Sequence, residues 1–125
     1  MGLFLKSDLD KLIKHLNKKE INFKKEDDKI SFELVMKNKN FMIYPYMTID
    51  DDVLSMCINL SKVDKINNDL CEKINEFNLK SKFFTLKIKN HILFIEANQL
   101  IDDINLLFDK MVENLFELED ELDNL

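Results

Sequence analysis

The stretch Lys73–Asn105, KINEFNLKSKFFTLKIKNHILFIEANQLIDDIN, reads in order as the end of a helix, a complete hairpin and the start of a second helix. Ile74 and Phe77 belong to a helical stripe that stops at Asn78. Residues 83–88 and 92–97 then alternate apolar and polar positions about a turn at Asn90, the period of two expected of half-buried strands. Phe84, Leu86 and Ile88 fall on the same side as Leu93, Ile95 and Ala97, which marks the core side. Asn98 is placed to cap the following helix, with Asp102 and Asp103 in its first turn, where the helix dipole favours acids.

Upstream of this segment, Ser61 and Asp64 have the spacing of a capping box, and Val63, Ile66, Leu70, Ile74 and Phe77 follow at helical intervals. Before them lie two pairs of alternating runs. Ile30, Phe32, Leu34 and Met36 alternate with Ser31, Glu33, Val35 and Lys37. A turn at Asn38 and Lys39 places residues 41–48 antiparallel to that run, with Phe41, Ile43 and Met47 on its apolar face. Pro45 cannot donate to a ladder and marks a bulge or an unpaired stretch. The acidic run Asp50–Asp52 turns the chain into a fourth strand, in which Leu54, Met56, Ile58 and Leu60 alternate with Val53, Ser55, Cys57 and Asn59. A short strand around Ile21 and Phe23 and a helix with Leu5, Leu9, Leu12, Ile13 and Leu16 complete the N-terminal part, Ser7 being placed to cap that helix.

Downstream, Ile104, Phe108, Met111, Leu115, Leu118, Leu122 and Leu125 repeat at alternating steps of four and three. Such a seam suits a helix lying on a sheet or a strand of a coiled coil. Ile101, Leu107, Val112 and Phe116 widen it beyond the narrow coiled-coil stripe and favour the sheet. The reading is an α+β chain with an antiparallel sheet and its helices on one face, in the order α-β-β-β-β-α-β-β-α. With 125 residues, one glycine, one proline and no linker or repeat, residues 1–125 are read as a single domain.

That order of elements resembles the YbjN family and, more distantly, the type III secretion chaperones. The residues that carry the resemblance are Ile74, Asn75, Phe77 and Asn78 closing the second helix, Phe83 and Phe84 opening the hairpin, and Leu93, Phe94, Ile95, Glu96 and Ala97 leading into the long last helix. The pattern covers most of the chain and contains no catalytic signature. The resemblance implies a compact, acidic, often dimeric protein that binds another polypeptide and catalyses nothing.

Composition narrows the function from the other side. The chain is 46% hydrophobic and 34% charged, with a net charge of −6. Its 18 basic residues are all lysine, so no guanidinium is present for bidentate reading of phosphates or guanine edges. Nucleic acid is therefore not expected as a partner. No apolar run is long enough to span a bilayer, and the start of the sequence has neither the apolar stretch of a signal peptide nor a Ser or Thr at position 6, which together give a cytoplasmic expectation and no membrane partner. Nine acids follow Gln99 against Lys110 alone, which suits a solvated helix face or a basic partner.

No residue set stands out for chemistry. Cys57 and Cys71 form no CxxC and are read as free thiols; with His15 and His91 they lack the short pair spacings of a zinc site. Asp50–Asp52 lacks the alternating ligands and glycine of a calcium loop. Neither histidine has an evident Ser or Cys partner, so no catalytic residue, metal or cofactor is assigned and the chain is read as not an enzyme. The sheet's second face carries the one positive signal. Opposite the core parity lie Val35, Met42, Tyr44, Tyr46, Val53, Phe83, Ile92 and Phe94, too apolar for a solvated face. A register shift at Pro45 or a helix of the same chain would cover them. Otherwise they meet a second subunit or hold an extended peptide. The partner-binding candidates are Met42, Tyr44, Tyr46, Phe83, Ile92 and Phe94.

The leading functional expectation is a non-enzymatic protein-binding module, a homodimeric chaperone-like or adaptor protein. The alternative is an acidic immunity or inhibitor protein that blocks a basic toxin or nuclease site through its C-terminal helix.

Overall fold

The structure is a computed structural model that describes the backbone of residues 2–125 and the side chains from Asp8 onward. Its elements are α1 (Gly2–Lys18), β1 (Phe23–Glu26), β2 (Lys29–Phe32), β3 (Leu34–Met36), β4 (Phe41–Ile43), β5 (Tyr46–Asp50), β6 (Val53–Lys62), α2 (Asn68–Lys80), β7 (Thr85–Lys89), β8 (Ile92–Leu100), α3 (Ile104–Glu117) and α4 (Glu119–Asp123). Six strands form one antiparallel sheet in the order β1-β2-β5-β6-β8-β7, and β3 and β4 pair separately. This is the expected α+β architecture.

The extra strand breaks have one cause. Lys29 pairs with Thr48 and Leu34 with Ile43, so β2–β3 and β4–β5 keep a single register along the whole hairpin. Phe32 N–H donates to Pro45 O at 3.0 Å, but Pro45 has no N–H to return the bond. The ladder is interrupted there without a bulge, and the register shift that would have covered the second face is absent.

Inward parity gives the core. Ile30, Phe32, Leu34, Met36, Ile43, Met47, Leu54, Met56, Ile58, Leu86, Leu93, Ile95 and Ala97 are all buried. The helices that cover them contribute Leu12 and Leu16 from α1, Phe77 from α2, and Ile104, Phe108, Met111 and Leu115 from α3, followed by Leu118 and Leu122. The heptad seam is therefore consumed within the chain, as the sheet reading requires. Phe108 packs against Phe32 with ring centroids 5.5 Å apart.

With the only glycine at position 2, the turns use Asn, Asp, Glu and His at positive φ: Glu20, Asp27, Asn40, Asp51, Asn90 and His91. Asn and Asp tolerate this region because their short polar side chains bond locally. Asn90 and His91, with φ of 53° and 62°, form the two-residue type I′ loop between β7 and β8.

Three expected helix starts are displaced. α1 begins at Gly2, so Ser7 lies inside it; the side chains of Leu5 and Ser7 fall outside the described ones. Ser61 caps nothing, because it and Lys62 pair in the sheet with Leu93 and Ile92. Asn67 caps α2 instead, its side chain accepting from Leu70 N–H at 2.9 Å. Asn98 belongs to β8, and Asp103 caps α3 by accepting from Asn105 and Leu106 N–H. The second helix also runs two residues past Asn78, to Lys80, and the last helix is broken at Leu118 into α3 and α4.

Candidate functional site: the outer sheet face

Because the helices take the inward parity, the outward parity of the sheet is left uncovered by any helix among the described residues. Its geometry follows from the register. One row across the sheet is Ser31, Tyr46, Cys57, Glu96 and Thr85. The next is Asn59, Phe94 and Lys87, and the one after it Lys62, Ile92 and Lys89. Tyr46, Ile92 and Phe94 thus share a shallow hollow of about 290 Å³ with Cys57, Asn59, Lys89, Asn90 and Glu96.

Polar contacts organise the hollow. Lys29 sits over the Tyr46 ring, its Nζ 4.6 Å from the centroid. Lys87 Nζ donates to Glu96 Oε1 at 2.5 Å, and Ser55 Oγ donates to Asn98 Oδ1 at 2.6 Å one row along. Tyr46 and Cys57 face each other as a cross-strand pair. Hydrogen bonding between them, and then burial, push the Tyr46 hydroxyl up to about 12. Burial, with the Glu96 carboxylate nearby, pushes the Cys57 thiol up as well, against the lowering effect of its bond to Tyr46. Both groups are therefore neutral at physiological pH, so this pair presents a soft, uncharged floor between charged margins.

The remaining candidates separate. Tyr44 and Met42 lie past Pro45 on the β3–β4 extension, 63% and 41% exposed, and Met42 stands opposite Val35 at 44%. Tyr44 lines a second hollow, of about 260 Å³, with Phe23 and Ser31. Phe83 is not on this face. It precedes β7, packs half-buried against the core and donates its N–H to Asn114 Oδ1 at 3.0 Å. The alternation begins only at Thr85, because Ser81–Phe84 is a turn closed by Ser81 Oγ accepting from Phe84 N–H.

Sequence reasoning missed two asparagines and one groove. Asn114, 2% exposed, accepts from both Phe83 N–H and Ser81 Oγ–H and so ties α3 to the start of the β7–β8 hairpin. Asn78 accepts from Leu86 N–H at 2.7 Å and donates to Leu86 O at 3.3 Å, closing the outer edge of β7 as a neighbouring strand would. The groove, about 720 Å³, runs between the end of α1, β3 and α3, with Ile21, Val35, Val112 and Phe116 among its walls. Phe116 and Val112 were visible as residues that widened the heptad seam.

The cysteines and histidines stay apart. Cys57 is on the sheet, Cys71 is exposed on α2, and both are free thiols. His91 is in the β7–β8 turn, and His15 Nε2 lies 2.7 Å from Asp109 Oδ1 with its ring edge-on to Phe108. No group of three or more His, Cys, Asp or Glu side chains suited to a metal ion occurs among the described residues.

The acids of the last helices are largely engaged within the chain. Asp109 meets His15 and Lys19, Glu117 meets Lys82, Asp120 meets Lys39, and Glu121 meets Lys80. Glu119, only 5% exposed, accepts from Lys39 N–H at 2.5 Å.

No protein-family model matches the chain, and no curated protein is similar to it in sequence. A solved structure does match: E. coli YbjN, described as a candidate transcription regulator, superposes with a TM-score of 0.66 over 91% of this chain and 87% of its own, at 9% identity. The fold is YbjN-like. At that identity the likeness to YbjN extends to the fold alone. The outer face of this YbjN-like sheet therefore has to be read from its own residues.

Proposed function

We propose that the chain is a non-enzymatic protein-binding module, a cytoplasmic, homodimeric chaperone-like or adaptor protein that takes another polypeptide on the outer face of its sheet. The observation that carries the reading is the hollow lined by Tyr46, Ile92 and Phe94, with Tyr44 in a second hollow beyond Pro45, on a face that no helix covers among the described residues. Aromatic anchors with an adaptable methionine nearby are what protein interfaces concentrate at their centres. The groove beside Val35 and Phe116 is a second apolar surface. Its lining carries both signs, with Lys19, Lys37, Glu20 and Glu113, and suits a second copy related by two-fold symmetry.

The alternative, an acidic inhibitor acting through the C-terminal helix, draws less support, because six of the nine acids after Gln99 already have partners in the chain. YbjN's description as a candidate transcription regulator fits a protein that acts through protein contacts. A chain of net charge −6 without arginine is poorly suited to a phosphate backbone. No helix among the described residues is long and apolar enough to cross a membrane.

The test pairs affinity capture from native cells with light scattering. Wild-type protein is expected to retain a specific partner that Phe94→Asp releases, and to run as a dimer that Phe116→Asp weakens. Capture unaffected by Phe94→Asp, with circular dichroism unchanged, refutes the binding face. A monomer at micromolar concentration refutes the dimer.

A further inference from the structure

We propose that the outer sheet face selects an acidic polypeptide segment, its carboxylates meeting lysines that flank Ile92, Phe94 and Tyr46. The inference rests on the protein-binding reading above and names the chemistry of the partner. The register supplies the arrangement. Ile92 is flanked across the strands by Lys62 on one side and Lys89 on the other. Phe94 has Lys87 as its cross-strand neighbour, and Tyr46 lies under Lys29. Directly opposed residues in an antiparallel pair stand about 5 Å apart at Cβ, so a chain contacting an anchor is within reach of the adjacent ammonium group.

The carboxylates on this face do not cancel that charge. Glu26 is held by Lys24 at 2.8 Å and Glu96 by Lys87 at 2.5 Å, Asp50 stands at the far end beside Val53, and the exposed Glu33 lies with Tyr44, away from the lysine-flanked anchors. Lys29, Lys62 and Lys89 are exposed and form no ion pair among the described residues; Glu26, across the hairpin from Lys29, is the one held by Lys24. A chain of net charge −6 thus turns a lysine-flanked aromatic surface outward on the face away from its acidic last helices.

Two other occupants fit less well. A second copy docked face to face would bring more unpaired lysines to the surface, while its Glu26 and Glu96 are already held by lysines of their own. A nucleic acid would find three lysines without carboxylate partners, no arginine, and Glu96 and Asp50 on the same surface, too little charge to release many counterions. An acidic segment with apolar side chains uses both halves of the surface, its apolar groups on Tyr46, Phe94 and Ile92 and its carboxylates on the lysines.

The probe is a dye-labelled synthetic peptide alternating Glu with Leu and Phe, compared by fluorescence anisotropy with the same peptide carrying Lys for Glu and with oligo(dT) of matching charge. The acidic peptide is expected to bind, the lysine peptide not to, and the oligonucleotide more weakly than the acidic peptide. Raising salt from about 0.01 M to about 0.15 M shortens the screening length from ~30 Å to ~8 Å and should weaken binding. The triple variant Lys29→Gln, Lys62→Gln, Lys89→Gln removes three exposed charges outside the core and should weaken the acidic peptide about tenfold, as three exposed ion pairs imply. Equal binding of acidic and lysine peptides, no binding of the acidic peptide, tighter binding of oligo(dT), or an unaltered triple variant overturns the inference. A cellular partner released by Phe94→Asp while the acidic peptide fails to bind would leave the protein-binding reading intact and remove only the acidic specificity.

Discussion

Asn78→Ala is the sharpest probe of how this sheet is finished. β7 is an outer strand of the sheet, and an outer strand offers unpaired N–H and C=O groups to any passing chain. Here the Asn78 amide takes both groups of Leu86, accepting from its N–H at 2.7 Å and donating to its C=O at 3.3 Å. Alanine removes both bonds at once. Two net hydrogen bonds of about 1 kcal/mol each set a ceiling near ~2 kcal/mol, and since Asn78 itself is exposed, water can replace part of that, leaving about 1–2 kcal/mol. For a chain of this size the loss corresponds to a fall in Tm of about 5 °C. Asn78→Asp keeps the shorter bond, in which Leu86 N–H donates, and should lose about half as much. Urea unfolding gives the stabilities, and hydrogen exchange at the Leu86 amide reads the bond directly. If that amide is as protected in Asn78→Ala as in wild type, or if the Ala and Asp variants are equally stable, the side chain is not closing the edge and the reasoning fails.

Asn114→Ala should cost more, about 2–4 kcal/mol by chemical denaturation, because it leaves Phe83 N–H without its acceptor in a site that is 2% exposed; Asn114→Asp, which keeps an acceptor, should recover part of it. For Tyr46 the sign follows from a folded pKa near 12 against about 10 in the unfolded chain. Its contribution to stability is complete below about pH 10 and is lost as pH rises through about 12. Tyr46→Phe should therefore flatten the alkaline fall in urea midpoint, and an unchanged profile would contradict the Tyr46–Cys57 pairing. Cys57, with its thiol pushed up by burial, should alkylate slowly with iodoacetamide near pH 8.5 until urea unfolds the chain; mass spectrometry of the two cysteine peptides reads this, and rapid native labelling of Cys57 would count against it.

Period-two and heptad signals were legible in the sequence because they report directly on burial, and the residues they marked, from Ile30 through Leu122, form the core. Boundaries were legible only where no distant segment competed for them. Ser61 has the right spacing for a cap, but Val63 N–H donates to His91 O at 2.7 Å, and that long-range bond keeps the chain extended past any helix start at Ser61. Asn98 likewise spends its side chain on Ser55 across the sheet, so capping passes to Asp103. In each case a non-local pairing outweighed a local preference worth about 1 kcal/mol. Phe83 failed for a related reason: parity holds only while the backbone stays extended, and the Ser81–Phe84 turn ends that run.

The charge pattern shows why the proposed binding face was only half visible. From sequence, the nine acids after Gln99 formed the obvious electrostatic feature, and the lysines were scattered. Folding reverses their standing. Lys19, Lys39, Lys80 and Lys82, from three separated stretches of the chain, come to the last helices and neutralise much of the acidic block. Lys29, Lys62, Lys87 and Lys89, equally scattered, come to the outer sheet face and border its aromatic residues. The first set is spent on holding α1, the β3–β4 turn and α2 against α3 and α4, whereas three of the second set have no such task among the described residues. Lysines that anchor the fold should lower Tm slightly on change to Gln and leave peptide binding unchanged. Lysines of the sheet face should tolerate it freely and each weaken the acidic peptide about twofold, their share of the roughly tenfold loss in the triple variant. That double dissociation, read by Tm and anisotropy on Lys80→Gln and Lys89→Gln side by side, separates charge used for stability from charge left over for recognition.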